Sequence, residues 1–288
     1  MSTASAISTP DEAAQPRASQ ADPPRRLYVY CVIDCDERAD FGPIGMGDDH
    51  PHVFAVAHEG VAALVGAAPC GKVQLSRGNL LCHQRVMEAA MARGHTVLPV
   101  RFSTIAEAES DRSAERRIVD RILVRRAGEL RSLLGAMSAR VELGVKGIWT
   151  DMAAVFSDLA GANEEIAALR QRLLAASRSA SRVKAANVMA RQVELGRLVQ
   201  GALKEAKLAA ETELAGRMAP WTVELKKNKT FGDSMFANLA ILADSSRQAD
   251  ISDALSAFEA EWAGRVRLRS IGPVPPANFV ELVITWDD

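Results

Sequence analysis

Two apolar runs, Val53-Phe54-Ala55-Val56-Ala57-His58 and Val61-Ala62-Ala63-Leu64-Val65-Gly66, are separated only by Glu59-Gly60. So short a link can join only antiparallel neighbours, so it is a strong hairpin signal. The preceding run, Leu27-Tyr28-Val29-Tyr30-Cys31-Val32-Ile33, is equally strand-like. Asn79 to Arg93 then carries Leu80, Leu81, Val86, Met87, Ala90 and Met91 at helical intervals between Gly78 and Gly94. Strands followed by an amphipathic helix define an N-terminal α/β layer.

After this helix, Thr96 to Phe102 reads as a short strand, and Pro99 confines it to an edge or an end. Arg101 between apolar neighbours suits either a structural hydrogen-bond hub or a partner contact. Thr104 with Glu107 three residues on forms a capping box, so a helix is expected to start there. A second helix is expected from Glu109 to Leu134, ended by Gly135. Its arginines at 112, 116, 117, 121, 125, 126 and 131 form a basic face without interleaved aromatics, which favours solvent or protein contact over nucleic acid.

Alternation returns at Val141 to Trp149, with 141, 143, 145 and 148 apolar. Residues 151–218 read as two helices with a break across Ala175 to Arg182, the second ended by Pro220. Strands follow at Trp221 to Lys226, after a turn near residues 227–229 at Met235 to Leu242, and, beyond a helix from Ile251 to Trp262, at Val266 to Ile271 and Phe279 to Trp286. The order β, long α, β, β, α, β is ferredoxin-like with one extra strand. The fold class is therefore α+β in two domains. Residues 1–26 are a disordered tail, 27–140 an N-terminal α/β domain, and 141–288 a C-terminal ferredoxin-like α+β domain with a long helical insertion.

Several chemistries are disfavoured. With 35 basic against 36 acidic residues, no overall field exists to hold a polyanion, so neither nucleic acid nor a lipid membrane is expected as a partner. No apolar run approaches spanning length and no signal peptide is evident, which predicts a cytoplasmic protein. The glycine-rich loop Phe41 to Gly47 lacks a Gly-Lys-Ser/Thr ending and is followed by Asp48 and Asp49, so it reads as a turn rather than a phosphate loop. Cys31, Cys35, Cys70 and Cys82 contain no CxxC pair, and His50, His52 and His58 lack a complete ligand set. No catalytic fingerprint appears, so no enzyme, cofactor or metal is expected; only a cluster of Cys82, His83 and His95 with perturbed titration would change that.

Two blocks remain: Leu98-Pro99-Val100-Arg101-Phe102-Ser103-Thr104 and Gly272-Pro273-Val274-Pro275-Pro276-Ala277-Asn278-Phe279-Val280. They resemble the "LPvRFGT" and "GPwPPYsFV" blocks of gas vesicle proteins of the GvpF/GvpL type, with similarity running from about Leu27 to Trp286. Ser103 stands where that family has glycine, which suggests a turn without positive φ. Val274 replaces its Trp and Ala277-Asn278 its Tyr-Ser. The three prolines make the second block stiff, suited equally to a presenting surface and to a rigid turn. The resemblance implies a non-enzymatic role in building the gas-filled shell, binding the small hydrophobic shell subunit by strand addition or helix-in-groove contact, alongside other gas vesicle accessory proteins. The chain would be a minor vesicle component or, alternatively, a chaperone-like accessory absent from the finished vesicle. A thiol-based redox or regulatory module is the alternative of another class. Candidate partner-binding residues are Arg101, Phe102, Thr104, Pro273, Pro275, Pro276 and Phe279.

Overall fold

The computed structural model describes residues 25–176 and 182–286. The tail expected over residues 1–26 lies outside the described residues up to position 24, and Arg26 already belongs to a strand. The first sheet is built from β1 (Arg26–Asp34), β2 (Asp40–Gly42), β3 (Val53–His58) and β4 (Val61–Ala67), followed by α1 (Arg77–Ala92), β5 (Val97–Pro99) and β6 (Ile105–Glu107). Its order is β2-β3-β4-β1-β5, with β6 also on β1. The hairpin is as expected: Glu59 and Gly60 both take positive φ, 46° and 84°, and His58 pairs with Val61.

Both faces of β1 are buried. Leu27, Val29 and Val32 enter one apolar cluster, while Tyr28, Tyr30, Cys31 and Ile33 enter another with α1. Strict alternation cannot place adjacent Tyr30 and Cys31 on one side. The register shift between Val29 and Cys31 does so. Within α1, Ser76 accepts the Asn79 N–H as N-cap, and the inward residues are His83, Val86, Met87 and Ala90. Leu80 and Leu81, expected in the core, are 44% and 45% exposed.

The opposite face is covered by α2 (Ala114–Ile118), a π-helical stretch (Val119–Val124) and α3 (Ala127–Met137). One continuous helix from Glu109 ended by Gly135 was expected. Instead the helix starts after Ser113, whose hydroxyl accepts the Arg116 N–H, and continues past Gly135 to Met137. The wider π turn brings Ile118, Ile122, Leu123, Leu130 and Leu134 into one cluster. Much of the basic face is neutralised locally, by Arg116–Asp120, Arg117–Glu109, Arg126–Glu129 and Arg131–Glu59 pairs.

The second sheet contains β7 (Arg140–Trp149), then α4 (Met152–Ala162), α5 (Glu164–Ala176), α6 (Arg182–Met218), β8 (Glu224–Lys227), β9 (Met235–Asp244), α7 (Gln248–Glu261) and β10 (Val266–Val274). Its antiparallel order β10-β7-β9-β8 is the ferredoxin-like arrangement. Three helices replace the expected two, because Asn163 leaves helical geometry and its side chain accepts the N–H groups of Glu165 and Ile166. The break expected at 175–182 falls between α5 and α6, where residues 177–181 lie outside the described residues. Trp221 belongs to a 3-10 turn rather than the strand. The inward positions of β7 are 141, 143, 145, 147 and 149, so Ile148 lies on the outer face. Residues 279–286 form no fifth strand of this sheet. They return to the first sheet, where Leu282 is buried and Val280, Ile284 and Trp286 pack beside it.

Gly147 is required by Phe236, whose ring stands where a side chain would project; a Cβ there would lie 2.4 Å from Cζ. Phe236 is 1% exposed and rests 5.3 Å from the Trp149 ring. Gly147→Ala is expected to destabilise the chain by about 1–3 kcal/mol in urea unfolding through overpacking, and Phe236→Leu in the same chain to recover part of that loss.

Candidate functional site at the meeting of the two blocks

The two sequence blocks, about 170 positions apart by number, face each other across one groove. The first fills the gap between β5 and β6 along one edge of β1. Pro99 pairs with Cys31, Val100 N–H reaches the Tyr30 carbonyl, and Val29 N–H the Thr104 carbonyl. The returning C-terminal segment then joins the outer side of β5. Leu282 N–H donates to the Pro99 carbonyl at 2.8 Å and Arg101 N–H to the Leu282 carbonyl at 3.0 Å, a parallel bridge between Val100 and Leu282. The resulting groove has a volume of about 420 Å³ and is lined by residues that include Leu80, His83, Met87, Phe102, Pro275 and Asn278.

The first block does not start a helix. Ile105–Glu107 is strand β6, paired with β1, and Thr104, 8% exposed, donates its hydroxyl to the Arg101 carbonyl at 2.6 Å. A strand partner was available at the β1 edge, and local capping potential lost to it. Ser103 has φ +67°, contrary to the expectation of an ordinary turn. Tyr28 holds it there, its hydroxyl accepting the Ser103 N–H at 2.9 Å. Arg101 is exposed, and its guanidinium makes no hydrogen bond or ion pair among the described residues, so it is not a structural hub. Phe102 is half-buried, edge-on to Tyr28 and His83.

Beneath the groove lies a polar network that pattern reading missed. The Tyr28 hydroxyl stands 3.1 Å from Nδ1 of His83, and the imidazole also interacts with the Val100 backbone. The hydroxyl oxygen already accepts from Ser103, so its proton goes to Nδ1, which acts as the acceptor of a neutral imidazole. Burial pushes His83 down to about 4, only partly opposed by the Val100 bond, and raises the Tyr28 and Tyr30 hydroxyls above the ordinary phenol range.

In the second block, Pro275 and Pro276 are buried, Phe279 is half-buried, and Pro273 is exposed. The turn is pinned to the outer face of the second sheet. Glu142 on β7, 4% exposed, accepts both the Asn278 N–H at 2.9 Å and its side-chain amide. Lys226 on β8 donates to the Asn278 carbonyl at 2.7 Å and lies over the Phe279 ring. Burial raises the Glu142 carboxyl, with the Asn278 bonds and Lys226 pulling the other way. Gly272, at φ +136°, allows the backbone to approach; a Cβ would meet the Glu142 carbonyl at 2.9 Å. Glu142 escaped the sequence reading because its alternating position looked solvated.

No group of three or more His, Cys, Asp or Glu able to hold a metal occurs among the described residues. Cys82, His83 and His95 do not form a reactive cluster. The Cys82 thiol points to the Ile44 carbonyl, and His95 bonds the Asp34 carbonyl. Burial raises the thiols of Cys31 and Cys82, which opposes thiolate chemistry. All four cysteines are free. Among the described residues, no helix is long and apolar enough to cross a membrane.

A helix-covered meander joined to a ferredoxin-like sheet by a proline-rich return segment defines a two-sheet α+β protein with a built groove and no assembled reaction centre among the described residues. The same architecture occurs in the crystal structure of the gas vesicle protein GvpF from Anabaena sp. PCC7120, with a TM-score of 0.71 at 22% identity, covering 90% of this chain and 99% of that one. GvpF from Microcystis aeruginosa superposes with a TM-score of 0.66 at 21% identity, covering 90% of this chain and 100% of that one. In sequence, gas vesicle protein L1 of Halobacterium salinarum is 29% identical over 275 residues, 88% of this chain and 89% of that protein. Gas vesicle protein F of Microcystis aeruginosa is 23% identical over 258 residues, 89% of this chain and 98% of that protein. The family model described as gas vesicle synthesis protein GvpL/GvpF matches residues 26–281. The chain belongs to the GvpL/GvpF family of gas vesicle proteins, and its role is in gas vesicle formation.

Two measurements check the geometry. Ser103→Gly is expected to raise unfolding free energy by about 0.5–1 kcal/mol, because glycine takes left-handed φ without the steric cost serine bears. For His83 the sign is acid-destabilising. The unfolded chain protonates this residue near pH 6.5 and the native chain near 4. The stability it supports is therefore intact above about pH 6.5 and falls through that window, by roughly 3 kcal/mol at pH 4. Denaturant midpoints between pH 7 and 4.5 should fall less steeply in His83→Gln than in the wild-type chain.

Proposed function

We propose that this chain acts in gas vesicle assembly by binding the small hydrophobic shell subunit in the groove between the two blocks, and that it stays with the vesicle as a minor component. One observation carries the reading: both blocks line a single groove whose surface is mainly apolar and whose mouth holds a half-exposed Leu80. A shell subunit that must remain unaggregated before incorporation needs a partner to cover part of its apolar surface. The groove offers aliphatic and aromatic side chains for that, with Arg101 exposed on the same block to orient a polar flank. The stiff proline turn reduces the ordering cost of binding. Other gas vesicle accessory proteins are further partners in this reading, and the role is non-enzymatic.

Tagged full-length chain co-expressed with the untagged shell protein should recover it at moderate salt. Leu80→Asp should reduce recovery at least tenfold, while Leu75→Asp, at a 74% exposed position outside the groove, should not. Equal recovery by all three chains would refute groove binding. Flotation of purified vesicles then separates the two family roles: a chain that floats is a component, and one left in the soluble fraction is a transient accessory.

A further inference from the structure

The outer face of the second sheet is covered by the proline turn only at its Glu142 end; the far end is open. The β10–β7 register places Val266 and Leu268 inward with the core, so Arg267, Arg269 and Ile271 project outward. Arg269 sits directly opposite Lys146, and Arg267 opposite Ile148. Both arginines are exposed and Ile271 is 51% exposed. None of the three cations makes an ion pair or side-chain hydrogen bond among the described residues.

Like charges directly opposed across two strands destabilise a sheet. This sheet carries Lys146 against Arg269 without a counter-acid, in a chain whose total charge is −1. We infer that this cationic face is a docking site for an acidic, extended polypeptide segment with interspersed aliphatic residues, separate from the groove. Arg267 and Arg269 are two positions apart on one strand, a spacing of roughly 6.6 Å that an extended segment with acids at alternate positions reproduces. Ile148 and Ile271 supply the aliphatic contacts. The sheet edge at Leu268 is closed, because its N–H donates to Glu259 on α7 at 3.2 Å. The segment therefore lies across the face rather than extending the ladder there. The outward strand positions 146, 148, 267, 269 and 271 carry no aromatic side chain for base stacking, which disfavours nucleic acid.

The test is fluorescence anisotropy of a fluorescein-labelled peptide with alternating Glu and Val, titrated with the full chain at 50 and 300 mM salt. Binding should be saturable, weaken with salt, and fall at least tenfold in Arg267→Glu/Arg269→Glu. The control Lys72→Glu/Arg77→Glu has the same net charge change on α1 and the loop before it, and should bind as wild type. Lys146→Glu should weaken binding while raising the thermal midpoint by about 1–3 °C, since it turns a repulsive cross-strand pair into an attractive one. No binding, equal weakening by both double reversals, or a lowered midpoint in Lys146→Glu would overturn the inference. Displacement of the peptide by an equal concentration of oligothymidylate would overturn its polypeptide assignment.

Discussion

Everything about the groove depends on two backbone hydrogen bonds, from Leu282 N–H to the Pro99 carbonyl and from Arg101 N–H to the Leu282 carbonyl. They seat the last described segment of the chain on the outer side of β5. Without them the proline-rich block would be a turn at the end of the second sheet, and the arginine-containing block a bulge at the edge of the first. Buried Leu282 and its half-buried neighbours Val280, Ile284 and Trp286 add apolar contact that makes this return favourable.

Polar anchors then fix each wall. On one side Tyr28 links α1, β1 and the strained Ser103 position through His83 and the Ser103 amide. On the other, Glu142 and Lys226 clamp Asn278 from two strands of the second sheet. The group at the centre of each set is buried, Tyr28 with His83 on one side and Glu142 on the other, and its hydrogen-bonding partners are present, the condition under which a polar network specifies one geometry instead of merely costing stability. The groove is thus preformed, and a ligand need not order its walls.

Much of the fold was legible because it follows local periodicity: the Glu59-Gly60 hairpin, α1, and the ferredoxin-like order of the second sheet. What failed was decided by tertiary contact. Thr104 and Glu107 satisfy a helix-capping pattern, yet the free edge of β1 took that segment as β6. Residues 279–286 alternate well enough to suggest a strand, but nothing local says which sheet they join. Serine rarely adopts positive φ, so nothing local marks Ser103 for it, and the Tyr28 hydroxyl that holds it lies 75 positions away. Of the candidate site residues, Phe102 and Pro275 do line the groove, Arg101 and Pro273 are exposed, and Thr104 and Pro276 are buried. Glu142 carried no motif, His83 stood out only beside Cys82, and Asn278 only as a departure within the second block.

Residues 280–286 belong structurally to the first sheet. Hydrogen exchange followed by mass spectrometry on the peptide covering this segment tests it most directly. The Leu282 and Arg101 amides should exchange with the slow β1 and β5 amides, as one cooperative unit. Exchange of the 276–286 peptide at the rate of an unstructured chain, with β1 still protected, would contradict it.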